Sequence, residues 1–167
     1  MTLNIFNNHA DRVKMANIAQ TVNVLQAIIL TNESGIVLTP TYHVFDLYQP
    51  HMDALLLPTY VKGPDYEYNG EHQSALSISA SKGQDGKINI TIVNLDPANE
   101  ISADFDIVGL DEKSVSGKYI SSGKFNDYNS FENPELVKIK ELKDLKISKD
   151  RMNVILPPMS VVLLQVR

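Results

Sequence analysis

Cysteine is absent from the 167 residues, so the chain has no disulfide frame, no thiolate metal site and no cysteine nucleophile. That absence leaves the compartment open, because a protein with a large core can do without disulfides. Long apolar runs are missing too: stretches such as Ala27–Leu30 and Ala54–Leu57 are far too short to span a bilayer. There is no surplus of positive charge. Fifteen Lys and Arg against 20 Asp and Glu give a net charge of −5, which argues against nucleic acid or an anionic membrane as partner. The charge is spread evenly, so neither end is a charged arm. The start, MTLNIFNNHADR, lacks the basic residues and apolar stretch of a signal peptide, and localisation is not assigned. His9, His43, His51 and His72 have no zincin spacing and no matching carboxylates, so no metal site is expected. There is no G-x-S-x-G elbow.

What is present describes an ordinary globular chain. Hydrophobic residues make up 43% and charged residues 21%, at a length that suits one domain or one domain plus an appendage. Leu3, Ile5 and Phe6 suit a last turn or two of helix, ended at Asn7-Asn8-His9 by an Asn in the left-handed cap position. Val13–Gln20 alternates without a clean polar face, the pattern of a buried parallel strand. Thr21–Leu30 reads as strand or helix, and Asn32-Glu33-Ser34-Gly35 as a loop. Thr39 as cap and Pro40 at the first helical position then open a helix with Tyr42, Phe45 and Tyr48/Gln49 on one face, stopped by Pro50.

From Met52 the period changes to two. Leu76, Ile78 and Ala80 alternate with serines. Ile88, Ile90 and Ile92 alternate with Asn89 and Thr91, and Ile101, Ala103, Phe105 and Ile107 alternate with Ser102, Asp104 and Asp106. In each strand the apolar set is expected to face a core and the polar set to face outward. Gly83-Gln84-Asp85-Gly86 reads as a hairpin loop. Ser114–Ser121, Met152–Leu156 and Ser160–Arg167 are further strands, the last two parted by Pro157-Pro158. Asp65–His72 and Lys124–Pro134 have no period and read as long loops, and Glu135–Lys149 as an edge strand or irregular segment. Short alternating strands with turns between them describe an antiparallel sandwich. The expected fold is mainly β, a sandwich of jelly-roll type over residues 52–167 preceded by a strand–helix unit in residues 1–51.

Gln20 is the candidate site residue. It ends the expected strand Val13–Gln20, and the end of a strand is a place from which a side chain can serve a site. A glutamine buried for structural reasons fits the same pattern. Glu33, Glu67, Glu71, Glu100, Glu112, Glu132, Glu135 and Glu141 lie almost all in loops or on polar strand faces and offer no strand-end carboxylate pair, so no catalytic residue is assigned. Tyr60, Tyr66 and Tyr68 could stack on a sugar or cover the sandwich edge.

Two runs, NHADRVKMANIAQTVNVLQ (Asn8–Gln26) and LTPTYHVFDLYQPH (Leu38–His51), resemble the end of the catalytic barrel in α-L-arabinofuranosidases of glycoside hydrolase family 51. LPPMSVVLLQV (Leu156–Val166) and NSFENPELV (Asn129–Val137) resemble, more loosely, the β-sandwich that follows that barrel. The resemblance implies that residues 1–51 are the C-terminal remnant of a (β/α)8 barrel and that Gln20 hydrogen-bonds the arabinofuranose ring. It implies a parent enzyme that is a retaining glycosidase acting on arabinose-containing oligo- or polysaccharides, with its two catalytic glutamates on earlier strands and no metal or organic cofactor. This chain alone is expected to be inactive and to bury its exposed barrel surface as a homo-oligomer. A carbohydrate-binding sandwich without chemistry is the alternative.

Overall fold

The computed structural model describes residues 1–19, 21–107, 114–143, 145–148 and 151–167. Helix α1 (Thr2–Asn8) opens the chain, β1 (Ile29–Thr31) and β2 (Ile36–Leu38) make a hairpin, and α2 (Pro40–Tyr48) runs into a 3-10 turn at Gln49–His51. The β region follows: β3 (Leu55–Leu57), β4 (Asp65–Tyr68), β5 (Glu71–Ser74), β6 (Leu76–Lys82), β7 (Ile88–Asn94) and β8 (Ile101–Asp106). It ends with β9 (Val115–Ile120), β10 (Lys140–Glu141), β11 (Lys146–Ser148), β12 (Arg151–Leu156) and β13 (Ser160–Val166).

Nine of these strands form two facing sheets, and β4 and β5 pair apart from them. One has the order β10-β9-β13-β7-β6-β3 and the other β11-β12-β8, and all pairings within them are antiparallel. The alternation puts one set from each strand between the sheets. Ile90 and Ile92, Leu76 and Ala80, and Val162, Leu164 and Val166 meet Ile101 of β8 and Met152, Val154 and Leu156 of β12. Phe105 and Ala103 pack at the margin of this core. Short edge strands β10 and β11 fall within the segment expected to be edge or irregular, and Lys124–Pro134 carries no strand, as expected.

The other face of the six-stranded sheet departs from expectation. Ser79 and Thr91 are 0% exposed, and Ser81 and Asn89 are buried as well. The polar set does not meet water, because α1, α2 and the 3-10 turn lie across it. A second apolar cluster forms beside them from Leu47, Ile120, Val137 and Leu163, with Val44, Ile139 and Val161 packed against it. The inward side of α2 is therefore Val44, Leu47 and Tyr48, so the expected face through Tyr42, Phe45 and Tyr48/Gln49 holds at Tyr48 but not at Tyr42 and Phe45. A helix seated on a sheet is oriented by its branched aliphatic side chains, and aromatic spacing alone misjudged the stripe.

Five further expectations are corrected. Val13–Ala19 carries no strand and is mostly exposed, with Met15 at 74%. A parallel strand needs neighbours on its edges and cover on both faces, and here every long strand is engaged inside the sandwich. Thr21–Leu30 is neither strand nor helix for most of its length, turning through positive φ at Asn23 and Gln26 before β1. At the end of α1, His9 occupies the cap position with φ −115, so no left-handed Asn is needed. Thr39 does stand at the N-cap of α2, but its hydroxyl donates to the carbonyls of Ala27 and Ile28 at 2.9 and 3.0 Å instead of capping. Past Pro50 the helix tightens into the 3-10 turn and does not stop at once.

Asp65–His72 is a hairpin, not a loop. Strands β4 and β5 pair from Asp65↔Ser74 to Tyr68↔Glu71 around Asn69 and Gly70, whose φ values of 52 and 81 suit a two-residue turn. It has no hydrophobic period because nearly all of it is exposed. The Asn69-Gly70 pair is the sequence signal that could have identified it.

Candidate functional site

Gln20 itself lies outside the described residues, and the structure gives its surroundings. Downstream, the chain folds back on itself. The Thr21 carbonyl accepts the amides of Ile28 and Ile29, and the Asn23 side chain brackets Thr31, accepting its N–H at 2.7 Å and donating to its hydroxyl at 2.8 Å. Val22 bridges Ile29. Val22, Val24 and Leu25 are exposed on this turn, and Met15 is exposed as well. Residues 21–31 thus form a hydrogen-bonded turn that leaves Val22, Val24 and Leu25 exposed.

A polar seam holds this N-terminal part on the sheet. Asn4, fully buried, accepts the Tyr48 hydroxyl at 2.7 Å and the Ser79 hydroxyl at 2.9 Å, and its own amide donates to Ser77. Asn7 donates to Ser79 and Asn8 to the Ile78 carbonyl. His51 lies between Ser81 and Thr91, its ring nitrogens 2.8 and 2.7 Å from their hydroxyls, while Asn89 donates to the Pro50 carbonyl. Burial pulls the His51 imidazole down from 6.5 to about 4 and pushes the Tyr48 phenol above its usual range. Both groups are neutral at pH 7, as a seam without counter-ions requires. Sequence reasoning missed this seam, although β6 and β7 carried a sign of it. Their outward positions are Ser77, Ser79, Ser81, Asn89, Thr91 and Val93, with none of the long charged residues of a solvated face.

The carboxylates are dispersed. Glu33, Glu67, Glu71, Glu100, Glu132, Glu135 and Glu141 are all exposed, and Glu112 lies outside the described residues. Hydrogen bonds from Ser130 and Lys138 hold Glu132 and Glu135 below the usual range, the wrong direction for a general acid at neutral pH. Among the described residues no three metal-ligating side chains come together. His9 lies 3.3 Å from Arg12, and His72 lies 4.0 Å from Glu67 on the β4–β5 hairpin. Tyr60 and Tyr68 are exposed, and Tyr66 packs on the core.

The described residues thus form a two-sheet antiparallel sandwich with a helical N-terminal segment clasped to its larger sheet. Residues 1–160 match the model of the alpha-L-arabinofuranosidase C-terminal domain, and the chain belongs to that family. Over its whole length it is 39% identical to an intracellular exo-alpha-L-arabinofuranosidase of Bacteroides ovatus, spanning 33% of that protein. A probable alpha-L-arabinofuranosidase C of Aspergillus clavatus is 32% identical over 114 residues, 62% of this chain and 22% of that one. Among solved structures, the GH51 arabinofuranosidase from Xanthomonas axonopodis pv. citri superposes with a TM-score of 0.95 at 39% identity, covering 99% of this chain and 34% of its own. The thermostable GH51 enzyme of Thermotoga petrophila gives 0.83 at 26%, covering 99% of this chain and 36% of its own. The chain therefore spans about a third of the length of the relatives it matches.

Proposed function

We propose that this chain serves as the C-terminal part of an exo-acting, retaining α-L-arabinofuranosidase. Residues 1–51 complete the catalytic barrel, residues 52–167 form the sandwich, and Gln20 binds the sugar at the point of cleavage. The observation that carries the reading is the 39% identity to the Bacteroides ovatus enzyme, which extends over the whole chain. The uncovered apolar residues around the Gln20 loop, Met15, Val22, Val24 and Leu25, supply the surface that further barrel elements would cover.

In this reading the two glutamates that form and hydrolyse the covalent arabinosyl intermediate stand upstream of this chain, and the sandwich side holds their barrel closed. Gln20 offers a donor and an acceptor to sugar hydroxyls without placing charge beside an oxocarbenium-like transition state. The test joins the chain to its upstream coding sequence and measures release of an aryl leaving group from an aryl α-L-arabinofuranoside. The joined protein should turn over, and this chain alone should not. Gln20→Ala in the joined protein should lower kcat/KM by an amount worth about 1–3 kcal/mol. Wild-type kcat/KM in that variant would leave Gln20 with a structural role only.

A further inference from the structure

One loop of the sandwich stands apart from the rest of the surface. Between β9 and β10, residues 121–134 are tied down by side-chain hydrogen bonds yet turn the rings of Phe125 and Tyr128 to solvent. Asn129, buried, donates to the carbonyls of Leu38 and Val137 at 2.8 and 2.7 Å and accepts the Val137 amide at 2.7 Å. Asp127 accepts the Ser122 hydroxyl and the Lys124 amide. Despite this anchoring Phe125 is 89% exposed and Tyr128 69%. The exposure is built in, not the slack of a loose loop. Phe125 also lines a cleft of about 330 Å³, floored by Val44, Ile120 and Val161 and rimmed by Ser121, Ser122 and Lys124.

The cleft's position gives it meaning. Its wall includes Pro40, the first residue of α2. In a (β/α)8 barrel each helix begins at the end where the strands finish, which is the end that carries the active site. The same loop braces the connection from Gln20 to α2: Asn129 holds Leu38, and a Cβ added at Gly35 would stand 3.9 Å from the Phe131 ring.

We propose that Phe125 and Tyr128, with the cleft beside them, form a secondary glycan-binding platform on the sandwich that takes the arabinose-bearing polysaccharide chain beyond the residue being cleaved. The inference rests on the reading of residues 1–51 as the end of the barrel. The chemistry fits a neutral sugar. Exposed aromatic faces stack on the C–H faces of sugar rings, hydroxyls and an ammonium on the rim hydrogen-bond sugar hydroxyls, and Lys124 and Asp127 offset each other's charge, so no anion is selected. A partner protein, by contrast, would have to desolvate that charged rim.

The experiment titrates this chain with an arabinan oligosaccharide, a xylo-oligosaccharide and a cello-oligosaccharide, followed by heteronuclear NMR. Arabinan should shift resonances of residues 121–131 and 40–44 with weak, saturable affinity, and Phe125→Ala should weaken binding by roughly tenfold. Phe125 is exposed, so this variant keeps the fold, and Tyr128→Ala gives an independent second reading. Shifts confined to other surfaces, no shift with any glycan, or unchanged affinity in both variants would overturn the proposal. So would concentration-dependent self-association that Phe125→Ala abolishes, since the rings would then cover a second copy. Binding of the cello- or xylo-oligosaccharide alone would keep the platform while removing its arabinose preference. The cleavage reading is decided separately by the aryl glycoside assay, which does not involve this loop.

Discussion

Acidification should loosen the clasp between the N-terminal segment and the sheet through His51. Both ring nitrogens lie within hydrogen-bonding distance of hydroxyls, at 2.8 and 2.7 Å, the Tyr48 ring leans over it at 5.8 Å, and burial holds it neutral. Its pKa is about 4 in the fold against 6.5 in an unfolded chain. Protonation therefore favours the unfolded state. The stabilisation is whole above about pH 6.5, falls as the pH descends, and is exhausted near pH 4. The difference, 6.5 − 4 or about 2.5 units at about 1.36 kcal/mol each, sets a limit of about 3 kcal/mol, of which about 2 kcal/mol has gone by pH 5. Burial also lowers His43, which acts in the same direction. Asp85 and Asp96 are held below the usual range by hydrogen bonds from Lys87 and Asn99, and their contributions are lost only at lower pH. The assay is urea unfolding of wild type and His51→Gln at about pH 7.5 and about pH 5. Wild type should lose about 2 kcal/mol more than the variant across that interval. Equal losses would refute the argument, because His51 would then be titrating as an exposed histidine does.

Ile90→Ala, at the centre of the inter-sheet core, should cost about 2–5 kcal/mol through lost burial and a cavity, read from the denaturant midpoint. Thr91→Val keeps the shape but removes the hydroxyl that meets His51, and should cost about 1–2 kcal/mol; an effect below about 0.5 kcal/mol would mean that this face is wet. Asn4→Ala strips partners from the Tyr48 and Ser79 hydroxyls and should cost about 2–4 kcal/mol, with faster hydrogen exchange in α1 and α2 than in β7 or β13.

The sequence by itself determined the sandwich. Period-two alternation in Leu76–Lys82, Ile88–Asn94 and Ile101–Asp106 gave those strands and the set of side chains each turns to the core, because a pleated strand allows only two faces. The Thr39-Pro40 start of α2 was equally local, and the runs around Gln20 and Pro50 carried the family. What alternation does not specify is the surroundings of the second face. Ser79, Ser81, Asn89 and Thr91 obey the same period whether water or a helix covers them, and only the tertiary structure brought Asn4, Tyr48 and His51 across from as many as 75 residues away. Val13–Ala19 shows the reverse. Its pattern suits a buried strand, but a strand exists only when another chain segment accepts its backbone hydrogen bonds, and that partner is a property of the assembled fold.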